Sequence, residues 1–493
     1  MIMNVRNAAW AFLGALAVVS CAPVTPVSRR FQDGPTREAV QGVRDRIDLL
    51  CEDPGLAPCF IGIEIVRTDD GGLVYERFGD KLFHPASNMK LLTSATALHV
   101  LHRDFRFMTA AEADAAPVKG TLPGNLYVKG SGDPLVTTED IDSMAARIRG
   151  SGIETIEGDL VGDVGLFDDV EKAPGWMWDD EPYSYAAPIS ALVVDGNSVK
   201  VLLKPGPREG DSVAVTTEPR TGFVKIINAA VTSRDTLIPP VTVERHPGTN
   251  DISVRGRVPP GSDLQPFLSS IANPGLYFLQ ILKERLLAHG VKVTGDIVTD
   301  TSRGTLHIAD ISHPLDSVLY LVNKQTNNLA AENLLKTLAA EETESAGTTA
   351  AGLAIVRDYL SSIGVDTTKV ILADGSGLSF YNAVSPDAVV RLLLAAFRDT
   401  SIFRRFYESL PVAGVDGTLK NRMRGTIAAG NVHAKTGTLS GVSSLSGYVT
   451  TADRKVLAFS ILGNILPGSV DALRRLQDSI MVLLTKSAIA GPN

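Results

Sequence analysis

Phe83-His84-Pro85-Ala86-Ser87-Asn88-Met89-Lys90-Leu91-Leu92 is the stretch from which the rest of the chain is best read. It passes from a proline-containing loop into helix-favouring residues that continue towards Leu101, which places Ser87 at a helix start. Residues three apart share a helix face, so the Lys90 ammonium can reach the Ser87 hydroxyl from the next turn. That is the relation of a nucleophile to its base. A serine at a helix N-terminus also has backbone N–H groups beside it, aimed where a carbonyl oxygen would turn negative, and one such donor is worth about 3 kcal/mol. Taken alone, the pair reads equally well as an N-cap and a solvated lysine. Yet Ser87-Asn88-Met89-Lys90 is the only Ser-x-x-Lys in the chain, and far downstream Lys435-Thr436-Gly437 is its only Lys-Thr-Gly. Together they imply a serine acyl enzyme whose base is lysine rather than histidine.

With 493 residues, 44% of them hydrophobic, the chain can bury a large core and should hold two or three domains. A net charge of −8 argues against a nucleic-acid partner. The first twenty residues contain Arg6 and an apolar run from Ala8 to Val19, too short for a membrane span, and read as a secretory signal over 1–20. The signal runs into Val18-Val19-Ser20-Cys21, which resembles a bacterial lipobox. That resemblance implies a lipidated Cys21 at the mature N-terminus and a tether over 21–30, in which Ala22-Pro23-Val24-Thr25-Pro26 reads as extended chain. Ala22 is not aspartate, so the sorting pattern points to a periplasmic lipoprotein of the outer membrane; an ordinary cleaved signal is the alternative. If Cys21 carries lipid, Cys51 and Cys59 remain, flanking Glu52-Asp53-Pro54-Gly55. In an oxidising compartment a local disulfide between them is expected, with two unpaired thiols as the alternative. No clustered histidines accompany them, so no metal site is expected.

Along the chain, Phe60-Ile61-Gly62-Ile63-Glu64-Ile65-Val66, the turn Asp69-Asp70-Gly71-Gly72, and Leu73-Val74-Tyr75-Glu76 predict a β-hairpin leading to the Ser87 helix. Near the other end, Val442 to Val449, the turn Thr451-Ala452-Asp453-Arg454, and Lys455 to Leu462 predict another, with Lys435-Thr436-Gly437 at the start of its first strand. An amphipathic segment from Val470 to Ile489 follows; Arg474, Arg475 and Asp478 interrupt its apolar run, so it reads as a core-packing helix. Strands at both ends with helices between predict one α/β (α+β) domain, an antiparallel sheet flanked by helices, built from 31–108 and 266–493. Residues 109–265 are rich in short β-like runs with Gly and Pro turns, interrupted by a helical stretch from Thr138 to Arg149. They predict an inserted, mostly β region of one or two subdomains. Within it, Arg220-Thr221-Gly222 mimics Lys-Thr-Gly, but no serine nucleophile accompanies it and it reads as a strand turn.

Ser-x-x-Lys, a Ser-x-Asn-like triplet and Lys-Thr-Gly are the three motifs of penicillin-binding proteins and serine β-lactamases. Further stretches resemble the D-alanyl-D-alanine carboxypeptidase/endopeptidase family, the class C low-molecular-mass penicillin-binding proteins: Gly130-Ser131-Gly132-Asp133-Pro134, Ala173-Pro174-Gly175-Trp176, Asp374-Gly375-Ser376-Gly377-Leu378-Ser379, and Ala413 through Leu419. The resemblance spans nearly everything after the tether. The second motif is matched by Thr326-Asn327-Asn328, which begins with threonine where the family has serine; its register places Asn328 towards substrate. Between Ser87 and Thr326 there is room for a whole inserted domain, whereas a compact β-lactamase has a short helical stretch there.

The resemblance implies a peptidoglycan peptidase with a discontinuous transpeptidase/β-lactamase-like domain. Ser87, deprotonated by Lys90, attacks the carbonyl between two D-alanines while the N–H groups of Ser87 and Thr438 hold the oxyanion. A second cation and desolvation are expected to lower Lys90, and Lys435 is the natural cation. Lys435 and Thr436, with Gly437 between them and Thr438, would meet the substrate carboxylate, Thr326 would relay a proton to the leaving amine, and Asn328 would bond the peptide. β-Lactams are expected as covalent inhibitors; no cofactor is required. The alternatives are a serine β-lactamase and a non-catalytic peptidoglycan-binding module of the same fold. A Ser-His-Asp hydrolase is disfavoured because no Gly-x-Ser-x-Gly elbow occurs, and His84 and His433 read as structural neighbours.

Overall fold

A computed structural model describes residues 35–263, 266–465 and 470–489. The expected signal, the tether and Cys21 lie outside them. Helix α1 (Pro35–Cys51) precedes strands β1 (Cys59–Arg67) and β2 (Leu73–Arg77), and α2 (Met89–Val100) follows. Helices α3 (Asn328–Thr343) and α4 (Pro386–Arg398) come much later. Strands β3 (His433–Leu439), β4 (Val442–Thr450) and β5 (Val456–Ile465) lead to the helix α5 (Asp471–Lys486).

The five strands form one antiparallel sheet in the order β3-β4-β5-β1-β2, so the two ends of the chain meet side by side. Ile63 of β1 faces Ile461 of β5 on one side and Arg77 of β2 on the other. A strand hydrogen-bonded on both edges and covered on both faces reads as a near-continuous apolar run, as β1 does. On one face, Ile47 of α1 and Ile480 of α5 pack with Ile63 and Phe459. On the other, Leu92 and Leu98 of α2 and Val389 and Leu393 of α4 pack with Leu462 and Tyr448. Helix α2 is buried from Met89 through Leu98, which explains why it is apolar all round rather than striped. The two expected hairpins form. Lys435-Thr436-Gly437, however, occupies a separate edge strand ahead of the C-terminal hairpin, because the chain turns back at Leu439 before Val442.

The inserted part has its own core, which includes Leu126, Ile156, Leu160, Tyr277, Leu282 and Ile311. Its largest sheet runs in the order Ile297–Asp300, Leu160–Asp163, Leu126–Lys129, Arg106–Ala113, Leu306–Pro314. The expected boundaries at 109 and 265 are therefore corrected. Pairing of Pro314 with Arg106 closes the insert, and helix Pro274–Ala288 packs on the inserted core rather than on the end-to-end sheet. That helix and the strands after it carry patterns that would suit either body; only their distant partners assign them. Arg220-Thr221-Gly222 is a turn, its Thr221 hydroxyl and Gly222 N–H donating to Glu284.

The expected Cys51–Cys59 disulfide is corrected as well: both are free thiols. Cys51 ends α1 and Cys59 begins β1, separated by the turn Pro54–Leu56 that Asp53 caps through Gly55 N–H at 2.8 Å. Both side chains pack against the α1–α5 core, and burial raises both thiol pKa values.

Candidate active site

The turn carrying Ser87 is held from three sides. Phe83 and Val384 exchange backbone hydrogen bonds at 2.9 and 3.0 Å, the Ser444 hydroxyl donates to the Pro85 carbonyl at 2.7 Å, and Asn88 Nδ2 donates to the Lys435 carbonyl at 2.9 Å. Ser87 is not an N-cap. It lies inside a tight 3₁₀ turn, Ala86–Asn88, that feeds α2, and Ala86 sits at φ +47°. Gly437 lets β3 lie against this turn: a Cβ there would stand 2.8 Å from the Pro85 carbonyl oxygen and 2.9 Å from Ser87 N. Gly377, at φ +82°, performs the same service from the opposite side, where a Cβ would stand 1.9 Å from the Ala86 carbonyl oxygen.

Lys90 is fully buried, and its Nζ donates to Ser87 Oγ at 3.2 Å, Asn328 Oδ1 at 2.6 Å and the Ser376 carbonyl at 2.6 Å. Lys435, also fully buried, donates to Thr326 Oγ1 at 2.8 Å and the Thr436 carbonyl at 2.9 Å. The tertiary fold thus gathers residues from α2, α3, the loop before α3, and β3 into one cluster. Asn328 opens α3 and spans the site, its Nδ2 donating to the Tyr185 carbonyl at 2.8 Å. The capping role falls to its neighbour Asn327, which accepts from Ala330 N at 2.8 Å. Thr326 adopts φ +57°, an uncommon conformation for a β-branched residue and one associated with functional positions. The Thr436 hydroxyl meets Thr418 Oγ1 at 2.7 Å, and Thr438 Oγ1 accepts from Arg474 at 3.4 Å. His84 bonds the Asn382 carbonyl at 3.1 Å and His433 stacks on Tyr407 at 4.0 Å, so both histidines are structural.

Two residues behind Lys90 were not singled out from sequence. Glu332 of α3 is fully buried and accepts from Gly375 N and Ser376 N at 3.1 and 2.8 Å. Asp374, also buried, accepts from Gly377 N, Ser379 N and Asn382 Nδ2 at 2.7 Å each and from the Trp176 indole at 3.1 Å. These carboxylates shape the loop whose Ser376 carbonyl accepts from Lys90 Nζ. Asp374 lies in a quoted motif, but its role depends on partners at Trp176 and Asn382; Glu332 has no signal beyond being four residues after Asn328 on one helix face.

Burial lowers Lys90 to about 8, against the opposing pull of Asp374 and Glu332. Burial, with the Lys90 ammonium as second cause, holds Lys435 well below the ordinary lysine range. The expectation that a second cation would depress the base is thus modified: desolvation does most of it, and the repulsion between the two ammoniums weighs on Lys435. Glu332 is raised to about 7 by burial and then by Asp374. Two buried lysines and two buried carboxylates therefore balance within one water-poor cluster. Among the described residues no group of three potential metal ligands stands together.

Comparison with known proteins agrees with this arrangement. A family profile described as D-Ala-D-Ala carboxypeptidase 3 (S13) matches residues 43–487. The chain is 39% identical over 462 residues to a D-alanyl-D-alanine carboxypeptidase of Actinomadura sp. (strain R39), covering 90% of this chain and 85% of the relative. It is 28% identical over 408 residues to the D-alanyl-D-alanine carboxypeptidase DacB of Haemophilus influenzae, covering 81% and 84%. The crystal structure of penicillin binding protein 4 (dacB) from Haemophilus influenzae superposes with a TM-score of 0.80 at 25% identity, covering 89% of this chain and 99% of that one. Motifs, inserted domain and clustered lysines thus lead to one assignment: the chain belongs to the D-Ala-D-Ala carboxypeptidase 3 (S13) family.

Proposed function

We propose that the protein is a serine-type D-Ala-D-Ala carboxypeptidase, with DD-endopeptidase action on cross-linked peptides through the same site. The observation that carries this reading is the contact of one buried lysine, Lys90, with the Ser87 hydroxyl at 3.2 Å and with Asn328 and the Ser376 carbonyl at 2.6 Å. A neutral Lys90 takes the Ser87 proton as Oγ attacks the penultimate D-Ala carbonyl. The N–H groups of Ser87 and Thr438 meet the developing oxyanion, and the C–N bond breaks as Thr326 passes a proton to the departing D-Ala amine. Water then attacks the acyl-enzyme and releases the shortened peptide. A substrate carboxylate arriving beside Lys435 and Thr436 favours the charged form of Lys435, and the repulsion between that ammonium and Lys90 favours the neutral form of Lys90.

Carboxypeptidase and endopeptidase turnover break the same bond and differ in the amine that leaves. A β-lactam acylates the same serine, and the ester persists. To test the reading, wild type and Ser87→Ala are incubated with a fluorescent penicillin and with a D-Ala-D-Ala peptide. Wild type should keep the label and release D-alanine, and Ser87→Ala should do neither. Rapid loss of label from wild type would instead make the protein a β-lactamase, and no D-alanine release would leave a binding module. Among the described residues no helix is long and apolar enough to cross a membrane. Export to the periplasm and attachment to the outer membrane through lipidated Cys21 remain part of the proposal, supported by the leader sequence. Labelling with a radioactive fatty acid that survives Cys21→Ser would sink the lipidation reading.

A further inference from the structure

The loop 173–187 joins the inserted domain to the active site and has two working sides. Inwardly, the Trp176 indole donates to Asp374 and the Tyr185 carbonyl accepts from Asn328. Outwardly, Trp178, Pro182 and Tyr183 form one wall of a cavity of about 650 Å³, facing Val243, Phe267 and Leu268 of the inserted domain. Its volume falls within the range of about 300–1,000 Å³ typical of small-ligand sites. The walls are fixed without a ligand. Ser270 N donates to the Pro182 carbonyl at 3.0 Å, Gly248 N to Glu181 Oε1 at 2.8 Å, and Arg245 Nη2 to the Glu181 carbonyl at 3.0 Å. Despite that rigidity, Trp178 leaves 81% of its surface to solvent, and Tyr183 is half exposed and stacked parallel on Tyr185 at 5.4 Å. An indole and a phenol held open beside apolar walls and proline rings mark a surface that something flat and partly apolar covers.

The polar rim narrows the occupant. Asp179 and Glu244 offer carboxylate acceptors and Ser269 a hydroxyl, while both terminal nitrogens of the Arg245 guanidinium are engaged, by Glu181 and by the Thr249 carbonyl at 2.7 Å, and its Nε is buried without a partner. Among the described lining residues Arg245 is the one cation, and its side chain is only 1% exposed, so an anionic lipid headgroup or polyphosphate fits poorly. A neutral sugar ring fits well: its C–H face lies on an aromatic or proline ring, and its hydroxyls donate to carboxylates. Position points the same way. Tyr183 and Tyr185 are two residues apart, so the cavity wall stands within about 7 Å of the residue whose carbonyl Asn328 holds. We propose that this cavity is a saccharide subsite that receives an N-acetylated sugar of the peptidoglycan strand while the attached peptide reaches Ser87. This rests on the peptidase reading above and adds to it a site for the glycan.

The test compares three substrates on wild type, Trp178→Ala and Tyr183→Ala: a glycan-free D-Ala-D-Ala peptide, the same peptide on its disaccharide, and a glycan-free cross-linked dimer. The expected result is a KM raised roughly tenfold on the disaccharide-peptide in the variants, as loss of an aromatic contact predicts. The peptide KM, the dimer KM and the rate of labelling by fluorescent penicillin should stay unchanged. Titration with an N-acetylglucosamine oligomer should change tryptophan fluorescence in wild type and not in Trp178→Ala. The proposal is overturned if all substrates shift together, which is a structural role, or if none shifts. It is overturned too if only the dimer shifts, which gives the cavity to a second peptide. Failure of wild type to release D-alanine from every substrate would instead refute the peptidase reading and leave the sugar titration to judge the cavity.

Discussion

If Lys90 is the base, the rate of acylation must follow the fraction of Lys90 that is neutral. Burial lowers its pKa from the ordinary 10.5 to about 8. About one molecule in eleven then carries the neutral amine at pH 7, about half at pH 8 and about ten in eleven at pH 9. The second-order rate constant of acylation, measured with fluorescent penicillin well below saturation so that it reports the free enzyme, should therefore rise about fivefold between pH 7 and 8 and less than about twofold from 8 to 9. A solvated lysine would give about tenfold for each unit across the whole range. The sign follows from the chemistry, since the neutral form is the one that accepts the serine proton and it accumulates above the pKa. The assay is quenched-flow labelling followed by in-gel fluorescence, with circular dichroism at each pH to show that the fold persists. A flat profile between pH 6 and 9, or one still climbing tenfold per unit beyond pH 9, would refute the assignment of Lys90 as a base tuned by burial.

Other outcomes test neighbouring parts of the same argument. Glu332→Gln removes a buried negative charge that supports the Lys90 ammonium, so the midpoint of that profile should move down by up to about one pH unit; an unchanged midpoint would make Glu332 a purely structural loop holder. Gly437→Ala places a methyl group 2.9 Å from Ser87 N and 2.8 Å from the Pro85 carbonyl oxygen, and labelling should slow by at least about a hundredfold while the melting transition stays cooperative. Thr326→Ser should keep D-alanine release within a few-fold of wild type, and Thr326→Ala should lower it by about 10²-fold. Equal activity of the alanine and serine forms would remove the hydroxyl at Lys435 from the proton path.

Local chemistry announced much of the site and only part of the fold. Ser87 and Lys90 were legible because their spacing is a property of one helix, and the first hairpin because Asp69-Asp70-Gly71-Gly72 is a local turn signal. Asn328 was read as bonding the peptide; its contact with Lys90, and the division of roles that leaves the cap to Asn327, emerge only when two helices far apart in sequence meet. The insert's boundaries were misplaced because strand partners at Arg106 and Pro314 are far apart in sequence, and helix Pro274–Ala288 carries no mark of which core it covers. The disulfide was inferred from cysteine count and compartment, whereas one thiol ends α1, the other begins β1, and both are free.

By itself, then, the sequence determined which residue types the proposed chemistry uses and in which short segments they lie, because the Ser87–Lys90 spacing and the turn geometry are set within a few residues of one another. The tertiary structure decided that Lys435 and Thr326 stand at 2.8 Å from one another, that Glu332 and Asp374 close the cluster from behind, and that Lys90 is dry. It also decided where the insert ends and what faces the outer cavity. Those are properties of burial and of contacts between distant segments. Burial alone lowers the Lys90 amine from the ordinary lysine value to about 8, which is what the proposed base at Ser87 requires.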